Sequence, residues 1–284
     1  MTGTLAERID ALAATPAGAP LAPGAEAVVR DLLDALERGM VRAAECERDG
    51  RWAAVPWVKR GILLGFRVGR LEDMSPSPGA AGGFSFVDKH TYPARHFAVT
   101  DGVRVVPGGS TVRRGAYLAP GVVCMPPMFV NVGAWVGPGT MIDSHVLVGS
   151  CAQVGSRVHL SAGVQIGGVL EPVNASPVVI EDDALIGGNC GVYEGTIVRA
   201  RAVLAAGVVL TRGTPVFDLV HERVYRASAE APLEIPPGAV VVPGARAVAG
   251  GWGATQRLSL QTPVIVKYRD ERTDVATALE AWLR

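Results

Sequence analysis

Three side chains near the middle of the chain could do chemistry. Asp143, His145 and His159 lie within Gly139–Pro172, "GTMIDSHVLVGSCAQVGSRVHLSAGVQIGGVLEP". A positioned carboxylate or imidazole can accept a proton from an attacking nucleophile, and several histidines together can hold a metal ion. Their neighbours are small and aliphatic, without the strict alternation of a half-buried strand or the length of a helix. What these residues can do therefore depends on the scaffold that places them.

That scaffold is written with a period of six. Val106, Val112, Leu118, Cys124, Val130, Val136, Ile142, Val148, Val154, Leu160 and Ile166 fall on one register. It restarts at Ile180 and runs through Ile186, Val192, Val198, Leu204, Leu210 and Val216, with a third piece at Ile235, Val241 and Ala247. Neither a helix nor an isolated strand repeats every six residues, whereas a parallel β-helix does. Each hexad predicts one short side of a coil with its aliphatic residue inward. Small residues such as Gly149, Gly155, Gly167 and Gly187 then lie near the corners. Successive coils stack at roughly 4.8 Å and satisfy one another's backbone groups. Asp143 follows inward Ile142 and so belongs near the outer surface of a coil. From the residues alone it reads either as a catalytic carboxylate or as a solvated turn aspartate.

The interruption at 167–179, "GGVLEPVNASPVV", predicts a loop projecting from one edge, and that at 218–234 predicts a hairpin excursion. The flanks differ in character. Residues 1–100 predict a helical N-terminal domain, with Val28, Leu32, Leu33, Leu36 and Met40 on one face of Ala25–Glu45 and a second apolar stripe in Val55–Arg67. Ser75–Gly83 reads as a loop or linker. The solenoid is expected over 101–250. Residues 251–284 are expected to cap it, with "LSLQTPVIVKYR" as a strand pair and a terminal helix starting at Thr273. The fold class is mainly β with an α-helical N-terminal region.

Lys plus Arg and Asp plus Glu are both 27, which offers no electrostatic reason to expect nucleic acid or an anionic membrane as a partner. The N-terminus lacks the apolar core of a secretory signal, no window reaches a membrane span, and the four cysteines follow no CxxC spacing. The expected location is the cytoplasm, with the cysteines reduced and buried as small hydrophobes.

The opening stretch closely resembles the central signature of the tetrahydrodipicolinate N-succinyltransferases. The likeness continues in "GVRVVPGGSTVRRGAYLAPG", "FVNVGAWVGPGT", "VIVKYRDERTD" and "DGRWAAVPWVKRGILLGFR". The resemblance implies a left-handed β-helix with three hexads per coil, and a homotrimer with active sites in grooves between solenoids. It implies transfer of a succinyl group from succinyl-CoA to the amine of ring-opened tetrahydrodipicolinate, 2-amino-6-ketopimelate, without a metal. By the same resemblance Asp143 contacts the amino substrate and assists its deprotonation. Arg104 binds a substrate carboxylate, with Arg113 and Arg114 as weaker alternatives. Ser161, Gly167, Gly168, Gly188, Ala205 and Gly207 are candidates for lining the CoA groove. His159 belongs to the family motif in a structural or site-lining role, and His145 stands where better-known members have tryptophan.

One position departs from the family pattern. Familiar members carry "RSEVVEG", whose first glutamate is assigned a catalytic role, whereas "NCGVYEG" stands here with Gly191 in that place. Asp143 then acts with backbone donors, or Glu194 or Tyr193 compensates, or the substrate has changed. The rivals are an acetyl-CoA-dependent enzyme on the same or a related amino dicarboxylate, and a non-catalytic trimeric scaffold. A zinc enzyme of the γ-carbonic anhydrase type is the most distant of them. Only His145 and His159 lie within the repeats, so the third ligand such a site needs is missing.

Overall fold

The computed structural model describes residues 3–75 and 85–270. Nearly all of Ser75–Gly83, and the terminal helix expected from Thr273, lie outside the described residues. The repeat region winds as a parallel β-helix of two-residue strands, and its three faces are three parallel ladders. Face 1 stacks Arg104–Val105, Val123–Cys124, Met141–Ile142, His159–Leu160, Leu185–Ile186 and Val203–Leu204. Face 2 stacks Thr111–Val112, Phe129–Val130, Leu147–Val148, Gln165–Ile166, Gly191–Val192 and Val209–Leu210. Face 3 stacks Tyr117–Leu118, Trp135–Val136, Gln153–Val154, Val179–Ile180, Ile197–Val198 and Glu234–Ile235. In an uninterrupted coil, stacked partners such as Met141 and His159 are eighteen residues apart, which is three hexads.

The six-residue register is the core. Ile142, Val148, Val154, Leu160 and Ile166 are all 0% exposed, and the buried series runs from Val112 to Val241. It fails at its two ends. Val106 is half-buried ahead of the first complete coil, and Ala247 is exposed. Ala247 leaves the register because Ala239–Ala247 is one continuous strand, paired antiparallel with Ser259–Tyr268. The strand pair expected within Leu258–Arg269 is therefore a single strand whose partner lies earlier in the chain.

A second period of six appears only in the backbone. Gly115, Gly121, Gly133, Gly139, His145, Cys151, Arg157 and Gly163 all have positive φ, each at a corner, with Pro127 interrupting the series. That left-handed conformation costs an L-residue on the order of 1 kcal/mol and a glycine almost nothing, which accounts for much of the glycine content. His145 (φ 62°) is thus an exposed corner residue.

Among the described residues three α-helices precede the solenoid. α1 (Leu5–Ala13) starts with a capping box, in which Thr4 and Glu7 satisfy each other's backbone amides. α2 (Ala25–Glu37) buries Val28, Leu32, Leu33 and Leu36. Met40, expected on that face, is 71% exposed because α2 stops ahead of Gly39, whose φ is +69°. α3 (Pro56–Val68) has proline in its first turn, where no amide partner is lost. Val132 and Cys151 of the solenoid belong to the helical core, so the helices pack directly on the edge between faces 2 and 3. Cys124, Cys151 and Cys190 are buried as expected; Cys46 is exposed, in the short hairpin Ala44–Ala54. Among the described residues no helix is long and apolar enough to cross a membrane.

The excursion after Val216 is a hairpin, with Val216–Asp218 antiparallel to Arg223–Tyr225 and parallel to the Ser259–Tyr268 strand. Asp218 anchors this end. Burial opposes its charge, but hydrogen bonds from His221, from the Tyr268 hydroxyl (2.7 Å) and from two backbone amides outweigh that and bring its pKa to about 2. A depressed carboxylate pKa stabilises the fold above its unfolded value near 4, and the stabilisation is lost as pH falls toward 2. We predict that Asp218→Ala costs on the order of 2–3 kcal/mol at neutral pH. The gap to wild type should close between about pH 4 and pH 2 in denaturant melts; a pH-independent gap would show that the carboxylate charge is not the anchor.

Candidate active site

The edge from face 1 to face 2 carries most of the expected site residues. Asp143 follows strand Met141–Ile142 with its side chain 32% exposed; Oδ1 accepts from the Ser144 amide at 2.7 Å. Its Oδ2 lies 3.8 Å from Nε2 of His159, whose side chain is 17% exposed. His159 stacks on Met141 in the next coil, so this proximity of residues sixteen apart follows from the ladder. Ser161, Gly188, Ala205 and Gly207 continue the same edge over the following coils, about 14 Å for three coil steps. Arg104 stands at the head of the same outward row of face 1, ahead of Val123, Met141 and His159. Arg113 donates to Asp88 at 2.6 Å and stacks on Phe66 and Tyr92, while Arg114 donates to Asp34 at 2.6 Å. Those two arginines fasten the N-terminal region to the solenoid.

Gly167, Gly168 and Glu194 occupy the edge from face 2 to face 3. Within one chain, face 2 separates them from Asp143. They line a cleft of about 1320 Å³ beyond the helices. Its walls are the hairpin Ala44–Ala54, the loop at 167–176 and the return of the excursion at 229–234. Arg199 ties two of these walls to the solenoid by donating to the Gly50 carbonyl, Glu181 and Glu234. Glu194 has φ 55° and precedes Gly195 at φ 74°, with the Thr196 amide bonded to the Tyr193 carbonyl. Two successive left-handed residues make a tight primed turn, and Glu194 Oε2 accepts from the Arg212 amide at 2.7 Å.

Tyr193 explains the local consequence of Gly191. A Cβ on Gly191 would lie 2.4 Å from Tyr193 Cε2, and one on Gly167 would lie 2.9 Å from Tyr193 Cδ1. The ring thus lies across both glycines on the outer side of face 2. The space that a larger residue at 191 would enter is already filled.

The comparisons with known proteins agree with this architecture. Residues 7–68 match the family model "Tetrahydrodipicolinate N-succinyltransferase N-terminal", and residues 177–212 match "Hexapeptide repeat of succinyl-transferase". A 2,3,4,5-tetrahydropyridine-2,6-dicarboxylate N-succinyltransferase of Afipia carboxidovorans is 44% identical over 89% of this chain and 87% of its own length. The chain belongs to this N-succinyltransferase family. Relatives of the same description from Polynucleobacter asymbioticus and Nitrobacter winogradskyi are each 42% identical; the latter match covers 93% of both chains. A solved Campylobacter jejuni structure assigned as a 2,3,4,5-tetrahydropyridine-2-carboxylate N-succinyltransferase superposes with a TM-score of 0.53 at 17% identity. It covers 87% of this chain, which spans 63% of that longer one. That likeness bears on the fold, a left-handed β-helix.

The hexad register foretold which residues face outward but not how they divide between two edges, since that needs the coil closed at three hexads. The hairpin wall and its tie to Arg199 carried no sequence signal at all, because the contact of Arg199 with Gly50 joins segments 149 residues apart. We predict that Gly191→Ala costs about 1–3 kcal/mol, as the Tyr193 ring must swing away. In a Tyr193→Val background the same change should be neutral in a double-mutant cycle of denaturant unfolding. Equal costs in both backgrounds would show that the ring is not the obstacle.

Proposed function

We propose that this chain transfers the succinyl group of succinyl-CoA to the amine of tetrahydrodipicolinate, taken as 2-amino-6-ketopimelate, in diaminopimelate and lysine synthesis. The observation that carries this reading is the family match over 89% of the chain, N-terminal helices and repeats together.

In this mechanism Asp143 orients the substrate ammonium and accepts one of its protons. The neutral amine attacks the thioester carbonyl carbon, and the tetrahedral oxyanion is held by backbone amides. Collapse breaks the carbon–sulfur bond, forms the amide and releases the CoA thiolate, which takes up a proton. His159, close to Asp143 Oδ2, lines the site. Arg104 meets one carboxylate of the acceptor, for which a guanidinium offers paired donors. Ser161, Gly188, Ala205 and Gly207 give the pantetheine arm a narrow path on one edge, and Gly167 and Gly168 serve it on the other. Glu194 is the carboxylate candidate on that other edge. Its bond from the Arg212 amide supports a role in shaping the turn rather than in moving a proton.

The division of these residues between two edges supports a homotrimer. Ring closure about a threefold axis joins two different surfaces of each subunit, so one subunit's Asp143 edge can face its partner's Gly167 edge across a shared groove. A biosynthetic enzyme using acyl-CoA works in the cytoplasm.

Thiol release with the tetrahydropyridine acceptor should be rapid with succinyl-CoA and slow with acetyl-CoA. The reverse order would make the enzyme an acetyltransferase, and no release with either donor across several amino dicarboxylates would favour a scaffold. Asp143→Asn should lower kcat about 100-fold or more while the melting curve stays in place. Near-normal turnover would remove Asp143 as the base.

A further inference from the structure

Lys59 is a fully buried cation. It lies on α3 with 0% exposure, and desolvation lowers its pKa. Removing an ammonium from water is costly unless its donors find acceptors. Here Nζ donates to the Ala175 carbonyl at 2.6 Å and approaches the Pro172 carbonyl at 3.5 Å. These two carbonyls belong to one turn, closed by the Ala175 amide on Pro172. That turn is the tip of the insertion loop, and Pro172, Asn174, Ala175 and Ser176 line the cleft.

Two further contacts hold the loop between the helices and the solenoid. Leu170 packs against the helical core. On the other side, a Cβ on Gly195 would meet the Ser176 carbonyl at 2.7 Å, so the loop rests on the turn that carries Glu194. An apolar residue at 59 could fill the same space, but it would take from the Ala175 carbonyl the donor that α3 supplies. The lysine therefore couples the position of α3 to the wall of the cleft.

We infer that Lys59 is a positioning residue that holds the insertion loop in its cleft-forming arrangement and thereby sets affinity for the acyl-CoA. The inference rests on the proposed acyl transfer only in naming that ligand. Lys59 touches no substrate, so its loss acts on binding of the CoA-bearing substrate and leaves the chemical step alone. Loop disorder that leaves only about a tenth of the population binding-competent weakens apparent affinity about tenfold, and on that scale Lys59→Met should raise KM for succinyl-CoA about tenfold. Turnover at saturation and KM for the amino acceptor should stay within about twofold of wild type.

The test uses the full chain. Amide hydrogen exchange in Lys59→Met should quicken at residues 169–176 while the ladders around Ile142 and Ile186 stay protected. Lys59→Arg, which restores donors at the same place, should recover most of the affinity. Calorimetric titration with CoA itself gives the same comparison without turnover, so an inactive wild type would overturn the acyl-transfer reading and leave this one to be judged on CoA affinity and exchange. Unchanged CoA affinity and unchanged loop exchange in Lys59→Met overturn the inference. So does a fall in kcat with both KM values unaltered. Should Lys59→Met fail to fold, Lys59→Gln, with a shorter donor, should show an intermediate loss of CoA affinity; wild-type affinity in that variant would overturn the inference equally.

Discussion

Every coil of this protein must pair its backbone amides with the carbonyls of the next, and the rest of the structure follows from that stacking. The amide of Asp143 bonds the Leu160 carbonyl, that of Ser161 the Ile186 carbonyl and that of Gly187 the Leu204 carbonyl, so outward residues line up in rows one coil apart. The same closeness restricts the corners. A Cβ on Gly187 would lie 2.6 Å from the Ala206 amide nitrogen, so the chain can turn there only without a side chain. Where the corner carries Asp143 or Ser161 instead, a functional group is displayed at a position that elsewhere is held by glycine.

The stacking also produces a prism with distinct edges, and these have been put to different uses. One displays Asp143, Ser161 and Ala205 in a row. The other is packed by α2 and α3 over its early coils and opens into a cleft beyond them. Leu33 and Ile62 reach into the corners at Gly115 and Gly133, where any side chain would strike them. The helices thus belong to the architecture of the cleft. Arg199 and Lys59 extend that attachment to the hairpin tip and the insertion loop.

The departure at Gly191 acquires a physical meaning in this setting. Tyr193 follows directly on the strand Gly191–Val192, and its ring folds back over the glycine at 191. What reads in the sequence as the loss of a carboxylate is, in the folded chain, an exchange of occupancy on the outer side of face 2. The proposed acyl transfer then relies on Asp143 and on backbone donors along the groove.

The inward register, the parallel solenoid and the stripes of α2 and α3 were legible in the chain because each is a local repeat that burial enforces at every step. Asp143 could be placed beside that register for the same reason. Its companions came from family resemblance. The end of the register was misjudged at Ala247, because a strand that pairs with a later segment keeps the right residue types while leaving the coil. Met40 was misplaced because one glycine ended its helix early. The sequence by itself determined which side chains point in and which point out, since period and hydrophobicity are local properties. Only the tertiary structure decided which outward residues share an edge, which arginines are committed to ion pairs, and that a buried lysine holds the cleft wall. Those outcomes depend on closing three hexads into a coil and on contacts between distant segments, and no local pattern encodes them.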